Sequence, residues 1–308
     1  MGTSNSYKGA GGGKPLIPSW LGAGGDGGGP APAPATPNAP PPADGTGSPP
    51  PLPGVLPSVG GGAVPGSSPS PAPAPAGDPK RYTAARNGFT RFVSSGGSDR
   101  RSLGRALSHY ISTSSGGSRN AARRMVVSRG STSRLANVLG STVGGNAPAV
   151  LRALGLERLA GRPIEEIFLG MMDLICPDGG SIDDSIAREA FAETIVDLTE
   201  NGITDFDTLT VAQVQTILEL NVAHAIEARL CNDIGAQAIS LPQDAKQAEA
   251  IQSQLFEFVE RAVADAFATN PLGSSSLTQD QVTRTIDTVY EQSYSILASM
   301  AEAEVDKP

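Results

Sequence analysis

The group best suited to react in this sequence is the amine at its start, in Met1-Gly2-Thr3-Ser4-Asn5-Ser6. Removal of Met1, which a small second residue favours, leaves the α-amine of Gly2 with no side chain beside it. An α-amino group has a pKa of about 7.7–8, against about 10.4 for a lysine side chain. At neutral pH this amine is far more often unprotonated. The chain therefore begins with a nucleophile.

Residues 1–79 are predicted to form a disordered tether that presents this amine. They hold 20 of the 26 prolines and 19 of the 37 glycines, with almost no charge. Such a composition cannot bury enough apolar surface to offset the entropy of ordering. A flexible coil of this length spans about 50 Å, and proline lengthens it. Trp20, the single tryptophan, is either an incidental hydrophobic residue or a docking motif for a partner.

The first six residues also fit the pattern for N-myristoylation. One acyl chain anchors a protein only marginally, and no basic run lies nearby to add a second signal. The pattern alone therefore gives little support to a lipid anchor.

Four arginines are candidates for binding an anion or nucleic acid: Arg119, Arg123, Arg124 and Arg129. They follow a Gly/Ser connector, and such loops before a helix can present N–H groups and guanidinium forks to phosphate. The alternatives are a solvated basic face or pairing with acidic residues of the same chain. No G-x-x-x-x-G-K-[ST] loop occurs, and no stacking aromatics alternate with the arginines. Nucleic acid would therefore bind through its backbone charge, with strong salt dependence.

The net charge of −8 conceals a strong division along the chain. Residues 80–162 carry a net charge of +13 and residues 163–308 a net charge of −20. An asymmetry of this size indicates a basic segment with an anionic partner, either nucleic acid or the acidic half of the same protein. We therefore divide the chain into a tail (1–79), a basic segment of short helices (80–162) and an acidic helical domain (163–308).

Helical periodicity runs through both charged segments and predicts an all-α protein. The apolar residues from Leu103 to Ile111 recur at the spacing of an amphipathic helix, and strand signals are nearly absent. Residues suited to cap helix starts precede several of these stripes. The predicted caps are Ser98, Ser181 with Asp184, and Thr210 with Gln213.

The remaining polar residues form no recognisable catalytic or metal-binding pattern. Asp205-Phe206-Asp207 lacks the glycine and the final glutamate of a calcium loop. His109 and His224 have no triad partners, and His224, near Glu227, is interpreted as a structural or surface histidine. We expect no enzyme activity, no cofactor and no metal.

Cys176 and Cys231 have no metal-type spacing and are expected to be free, partly buried thiols of a cytoplasmic protein. The sequence has no run of 18 apolar residues, and its start lacks the basic and apolar regions of a secretion signal. We therefore expect neither a membrane span nor secretion.

Two stretches of the chain carry a resemblance to a known family. One is the Met-Gly-Thr-Ser start with the Gly/Pro-rich tail behind it. The other begins at Tyr82-Thr83-Ala84-Ala85-Arg86 and continues through Gly104-Arg105-Ala106-Leu107-Ser108-His109-Tyr110 to Ser114-Ser115-Gly116-Gly117-Ser118. In these features the chain resembles the B component of the four-gene Qat anti-phage defence system. The resemblance implies three neighbours: a P-loop ATPase, an enzyme similar to 7-cyano-7-deazaguanine synthase, and a TatD-type nuclease.

The resemblance also implies a role for Gly2 as the modified residue. The synthase-like enzyme would join a deazaguanine base to the Gly2 amine, with Thr3, Ser4 and Asn5 as recognition residues. Under this hypothesis the chain is a non-enzymatic adaptor whose helical body docks the ATPase. The competing hypothesis is a nucleic-acid-binding scaffold that uses residues 80–162, with the tail as a linker.

Overall fold

The computed structural model describes residues 80–235, 245–271 and 278–307. These residues form α-helices joined by short turns, with no β-strand among them, so the all-α prediction is confirmed. The helices are α1 (Thr83–Ser94), α2 (Arg100–Ser108), α3 (Ser118–Arg123), α4 (Val126–Thr142), α5 (Ala147–Ala153), α6 (Ile164–Ile175), α7 (Ile182–Glu200), α8 (Val211–Leu230), α9 (Ala245–Thr269) and α10 (Gln279–Asp306). Two π-helical segments, His109–Ser114 and Cys231–Gly235, continue α2 and α8. The predicted disordered tail lies outside the described residues.

Reciprocal side-chain caps begin three of the long helices, α7, α8 and α10. At α7 the Ser181 hydroxyl accepts the Asp184 N–H (3.1 Å), and the Asp184 carboxylate accepts the Ser181 N–H (3.0 Å). Thr210 and Gln213 form the same arrangement at α8. Each cap satisfies N–H groups that have no partner within the helix. The two predicted caps at α7 and α8 are confirmed.

The start and the end of α2 differ from the sequence-based expectation. The predicted cap at Ser98 is wrong, because the Asp99 carboxylate accepts the Ser102 N–H at 2.9 Å and the Ser102 hydroxyl at 2.6 Å. The apolar stripe then leaves α-geometry and continues in the first π-helical segment, where Tyr110 and Ile111 are still buried. The stripe is therefore a real core face, but it does not belong to one regular helix.

Helices α8 and α10 form the centre of the described fold. Every residue from Leu220 to Glu227 on α8 is buried, which is typical of a helix covered on all sides. Helix α10 packs against α2, α3, α4 and α9. Helices from the basic segment and from the acidic domain therefore contribute to one hydrophobic core.

Two glycines allow neighbouring helices to approach closely. A Cβ atom at Gly104 on α2 would lie 2.6 Å from the carbonyl oxygen of Ala301 on α10. A Cβ atom at Gly88 on α1 would lie 2.9 Å from the backbone nitrogen of Ala106 on α2. Backbone contacts this short leave no room for a side chain.

Cys176 and Cys231 are free, as the sequence predicts, and both are buried rather than partly buried. Among the described helices, none combines the length and the apolar character needed to cross a membrane.

Candidate functional site

The residues predicted to act at the tip of the tail lie outside the described part of the chain. They are Gly2, Thr3, Ser4, Asn5 and Trp20. The described chain begins at Lys80, and the position of the following residues is set by contacts deep in the fold.

A buried carboxylate, Asp233, holds the start of the described chain. Its Oδ2 accepts hydrogen bonds from the hydroxyls of Tyr82 (3.1 Å) and Tyr110 (2.9 Å). The same oxygen lies 3.2 Å from Nη2 of Arg124 and 3.3 Å from Nε of Arg229. Burial, reinforced by the Asp233 charge, raises the pKa of Tyr82, so its hydroxyl remains a donor. One negative charge therefore joins four side chains: Tyr82, Tyr110, Arg124 and Arg229. We call this group the Asp233 cluster.

Arg124, one of the four predicted anion-binding residues, belongs to the Asp233 cluster. Its guanidinium contacts the Tyr82 hydroxyl and lies 5.6 Å from the centroid of that ring. Only 26% of its side chain is exposed, and its charge faces Asp233. An external anion would have to compete with a partner that is already inside the protein.

The other three predicted arginines line one cleft of about 530 Å³ beside α10, which we call the arginine cleft. Two of them face carboxylates of α10: Arg119 Nε donates to Glu291 Oε1 at 2.9 Å, and Arg129 Nε donates to Asp287 Oδ1 at 2.7 Å. The side chain of Arg123 is exposed and forms no hydrogen bond or ion pair with the described residues. Most of the positive charge of this cleft is therefore compensated within the fold.

A second cleft, of about 350 Å³, lies between α7, α8 and α9 and was not recognised from the sequence. We call it the acidic cleft. Its carboxylates are Glu189, Glu193, Asp197 and Glu200 of α7, Glu227 of α8, and Glu249 and Glu260 of α9. No lysine or arginine of the described residues lines it, and its one basic group is His224.

The acidic cleft holds His224 in its charged form. Its Nε2 lies 2.7 Å from Asp197 Oδ2, its Nδ1 lies 3.9 Å from Glu227 Oε2, and its ring stacks on Phe256. Burial lowers the pKa of His224, but the hydrogen bonds and charges of Asp197 and Glu227 outweigh burial and raise it to about 9. At neutral pH the ring is therefore an imidazolium, which cannot act as a general base. Of the two interpretations left open, a structural or a surface histidine, the burial of His224 favours the structural one.

One imidazolium does not balance the carboxylates around it. Burial raises the pKa of Glu189, Glu193 and Glu260, and nearby carboxylates add to the effect. Oε1 of Glu227 is buried and has no hydrogen-bond partner among the described residues. The carboxylates of this cleft are therefore suited to attract a positively charged group that donates hydrogen bonds.

The sequence contains a signal that could have located the acidic cleft. Glu189, Glu193 and Asp197 recur at every fourth residue, which places three carboxylates on one face of α7. His224 and Glu227 share a face of α8 in the same way. The periodicity predicts which residues share a face of each helix. Which of these faces contact each other depends on tertiary packing.

Among the described residues, no group of three or more His, Cys, Asp or Glu side chains is arranged to hold a metal ion. Asp205 instead organises its own turn, since its Oδ1 accepts the Asp207 N–H at 2.9 Å and its Oδ2 accepts the Thr208 hydroxyl at 2.9 Å. This is the ordinary behaviour of aspartate in a loop.

Comparison with known proteins identifies the family. The family described as Qat anti-phage system associated protein QatB matches residues 116–297, more than half of the chain. The match spans the four arginines, Asp233 and the α7, α8 and α9 residues of the acidic cleft. No curated protein and no solved structure matches the chain significantly. The resemblance found in the sequence is thereby confirmed, and the chain belongs to the QatB family of Qat anti-phage system associated proteins.

Proposed function

We propose that this chain is a non-enzymatic adaptor of the Qat system and that a synthase-like partner enzyme attaches a deazaguanine base to Gly2. The observation that carries the proposal is an unhindered glycine amine at the end of a long Gly/Pro-rich segment, in a chain of the QatB family. Thr3, Ser4 and Asn5 are small and polar, which suits residues that thread into a narrow enzyme site.

The proposed reaction forms one amide bond. The partner enzyme activates the carboxylate of a deazaguanine base with ATP, and the unprotonated Gly2 amine attacks the activated carbon. A C–N bond forms, the activating group leaves, and the amine loses a proton. Gly2 thus takes the place of ammonia, and its α-amine is better suited to this than a lysine because far more of it is unprotonated at neutral pH.

The helical body has a different role in this proposal: it anchors the tail and docks the other components. The Asp233 cluster fixes Tyr82 near the start of the described residues. We assign the docking of the P-loop ATPase to the helical body, and we propose that Trp20 makes a second contact. The TatD-type nuclease would complete a complex that acts in the cytoplasm.

The alternative, a nucleic-acid-binding scaffold built on residues 80–162, has less support from the geometry. Arg119, Arg124 and Arg129 face Glu291, Asp233 and Asp287, so phosphate would have to displace carboxylates of the same chain. Arg123 alone of the four predicted arginines has no such partner among the described residues. We therefore place function at the tip of the tail.

The proposal is tested by a bulky substitution at the tip. Gly2→Trp hinders both the removal of Met1 and the approach of the amine to an activated carbon, so we expect it to abolish phage protection in cells that carry the complete system. Gly45→Trp, the same change in the middle of the tail, is the matched control and should retain protection. Full protection by Gly2→Trp would contradict the proposal, provided that the protein level is unchanged.

A further inference from the structure

The acidic cleft has no role in the proposed modification of Gly2, yet its composition is unusual for a surface recess. Its lining combines seven carboxylates from three helices with one imidazolium. A soluble protein ordinarily intersperses both signs of charge on its surface, because a large field of one sign disfavours the folded state. An uncompensated recess of this kind therefore calls for a partner of opposite charge.

The position of Glu227 adds an observation that does not depend on the number of acidic residues. Glu227 is only 6% exposed, and its Oε1 has no hydrogen-bond partner among the described residues. Leaving a buried carboxylate oxygen without a donor is costly. His224 does not relieve this cost, since its Nδ1 lies 3.9 Å from the other oxygen, Oε2. Within the described residues, Glu227 Oε1 thus lacks a hydrogen-bond donor.

The shape and depth of the cleft indicate the size and orientation of the missing group. Glu227 is buried, whereas Glu200 and Glu249 are exposed near the opening. A volume of about 350 Å³ accommodates a side chain but not a folded element. A long side chain whose charged end enters the cleft would bring its charge to Glu227 and leave its own backbone outside.

The lining favours a planar cation. One face of the Phe256 ring is already stacked on His224, so the preference rests on the carboxylates of the lining. A planar guanidinium group donates hydrogen bonds to more than one carboxylate at once. Arginine offers five N–H donors in a fixed fork, which can reach Glu227 and a second carboxylate together.

We propose that the acidic cleft between α7, α8 and α9 is a receptor for an arginine side chain of a partner protein, with Glu227 as the acceptor at its floor. Glu193 lines the wall and adds to the attraction. The cleft would thereby be a docking point of the helical body, separate from the tail.

The test follows the imidazole NMR signals of the full-length chain, which has only two histidines, during titration with Nα-acetyl-argininamide at low salt. We expect a saturable shift of the His224 signals, while the signals of the exposed His109 stay in place. The neutral probe Nα-acetyl-glutaminamide should produce no shift. A shift of both histidines alike, or no saturable shift of His224, would overturn the proposal.

Substitutions then identify the acceptor. Glu227→Gln should weaken binding of the argininamide about tenfold, the loss expected for one charged hydrogen bond. Glu193→Gln, in the wall of the cleft, provides a second test that does not alter the buried floor and should also weaken binding. Glu302→Gln, on the exposed surface of α10, should leave binding unchanged. Equal affinity of all three variants for the argininamide would overturn the proposal. Spermidine that binds at least about tenfold more tightly than the argininamide would also overturn it, because the ligand would then be a free polyamine.

Discussion

At the scale of single residues, Asp233 is a buried carboxylate that contacts side chains from distant parts of the sequence. It faces Arg124 and Arg229 and accepts two tyrosine hydroxyls. Removing one member of a buried charge group leaves its partners without compensation, which costs about 3–5 kcal/mol. We therefore expect Asp233→Asn to lower the free energy of unfolding by about that amount in urea denaturation. Asp306→Asn, an exposed control, should change it by less than about 0.5 kcal/mol. A similar small change for both variants would show that the cluster is not a buried charge network.

His224 provides a second prediction at the residue scale, in the pH dependence of stability. Its pKa rises from 6.5 to about 9 on folding, so its contribution is complete below pH 6.5 and is lost as the pH rises through 9. The cost of His224→Gln should therefore be about 3 kcal/mol smaller at high pH than near pH 6. Urea denaturation at several pH values measures this difference. His109→Gln, at an exposed histidine, should stay within about 0.5 kcal/mol of the wild type throughout. A cost of His224→Gln that is the same at every pH would contradict the charged state that we assign.

The sequence predicts the role of His224 better than it predicts which residues the side chain contacts. It places His224 near Glu227, because both lie on one helix, and it interprets His224 as a structural or surface histidine rather than a base. It does not predict that Asp197, on another helix, lies 2.7 Å from the ring. Ion pairs between distant segments depend on how the helices pack, and local periodicity carries no information about that packing.

At the scale of helices, α2 and α10 pack so closely at Gly104 that no side chain fits between them. A Cβ atom at Gly104 would lie 2.6 Å from the carbonyl oxygen of Ala301, and the backbone cannot move aside as a flexible side chain would. We expect Gly104→Ala to destabilise the protein by about 1–3 kcal/mol in thermal or urea unfolding. Gly140→Ala on α4 is the matched control, because its Cβ meets no atom within 4 Å and alanine favours a helix by about 0.5–1 kcal/mol. Stabilisation by both substitutions would contradict the close packing.

Two of the three predicted helix caps are confirmed, and the third, at Ser98, is wrong by one residue because Asp99 caps α2. Ser181 and Thr210 cap their helices as expected, since a cap needs only residues three positions apart. The π-helical segments were not predicted. Tyr110 in the first donates to Asp233 in the second, a contact between residues 123 positions apart. Such a contact depends on the tertiary fold, so local sequence patterns do not predict it.

At the scale of the whole molecule, the division of charge along the chain left two explanations open: nucleic acid, or pairing within the protein. The ion pairs Arg119–Glu291, Arg129–Asp287 and Arg124–Asp233 each join the basic segment to the acidic domain. Composition revealed the asymmetry, but only the positions of these groups favour internal pairing. The same packing leaves the acidic cleft uncompensated, which gives the helical body its own candidate docking point.

The measurement that tests the central proposal most directly is the mass of the N-terminal peptide. The chain is expressed with its neighbouring genes, and again with only the synthase-like gene omitted. We predict that Gly2 carries an added mass matching a deazaguanine amide in the first sample and none in the second. An unmodified Gly2 in both samples, or the same added mass in both, would contradict the proposed attachment of deazaguanine by the synthase-like enzyme.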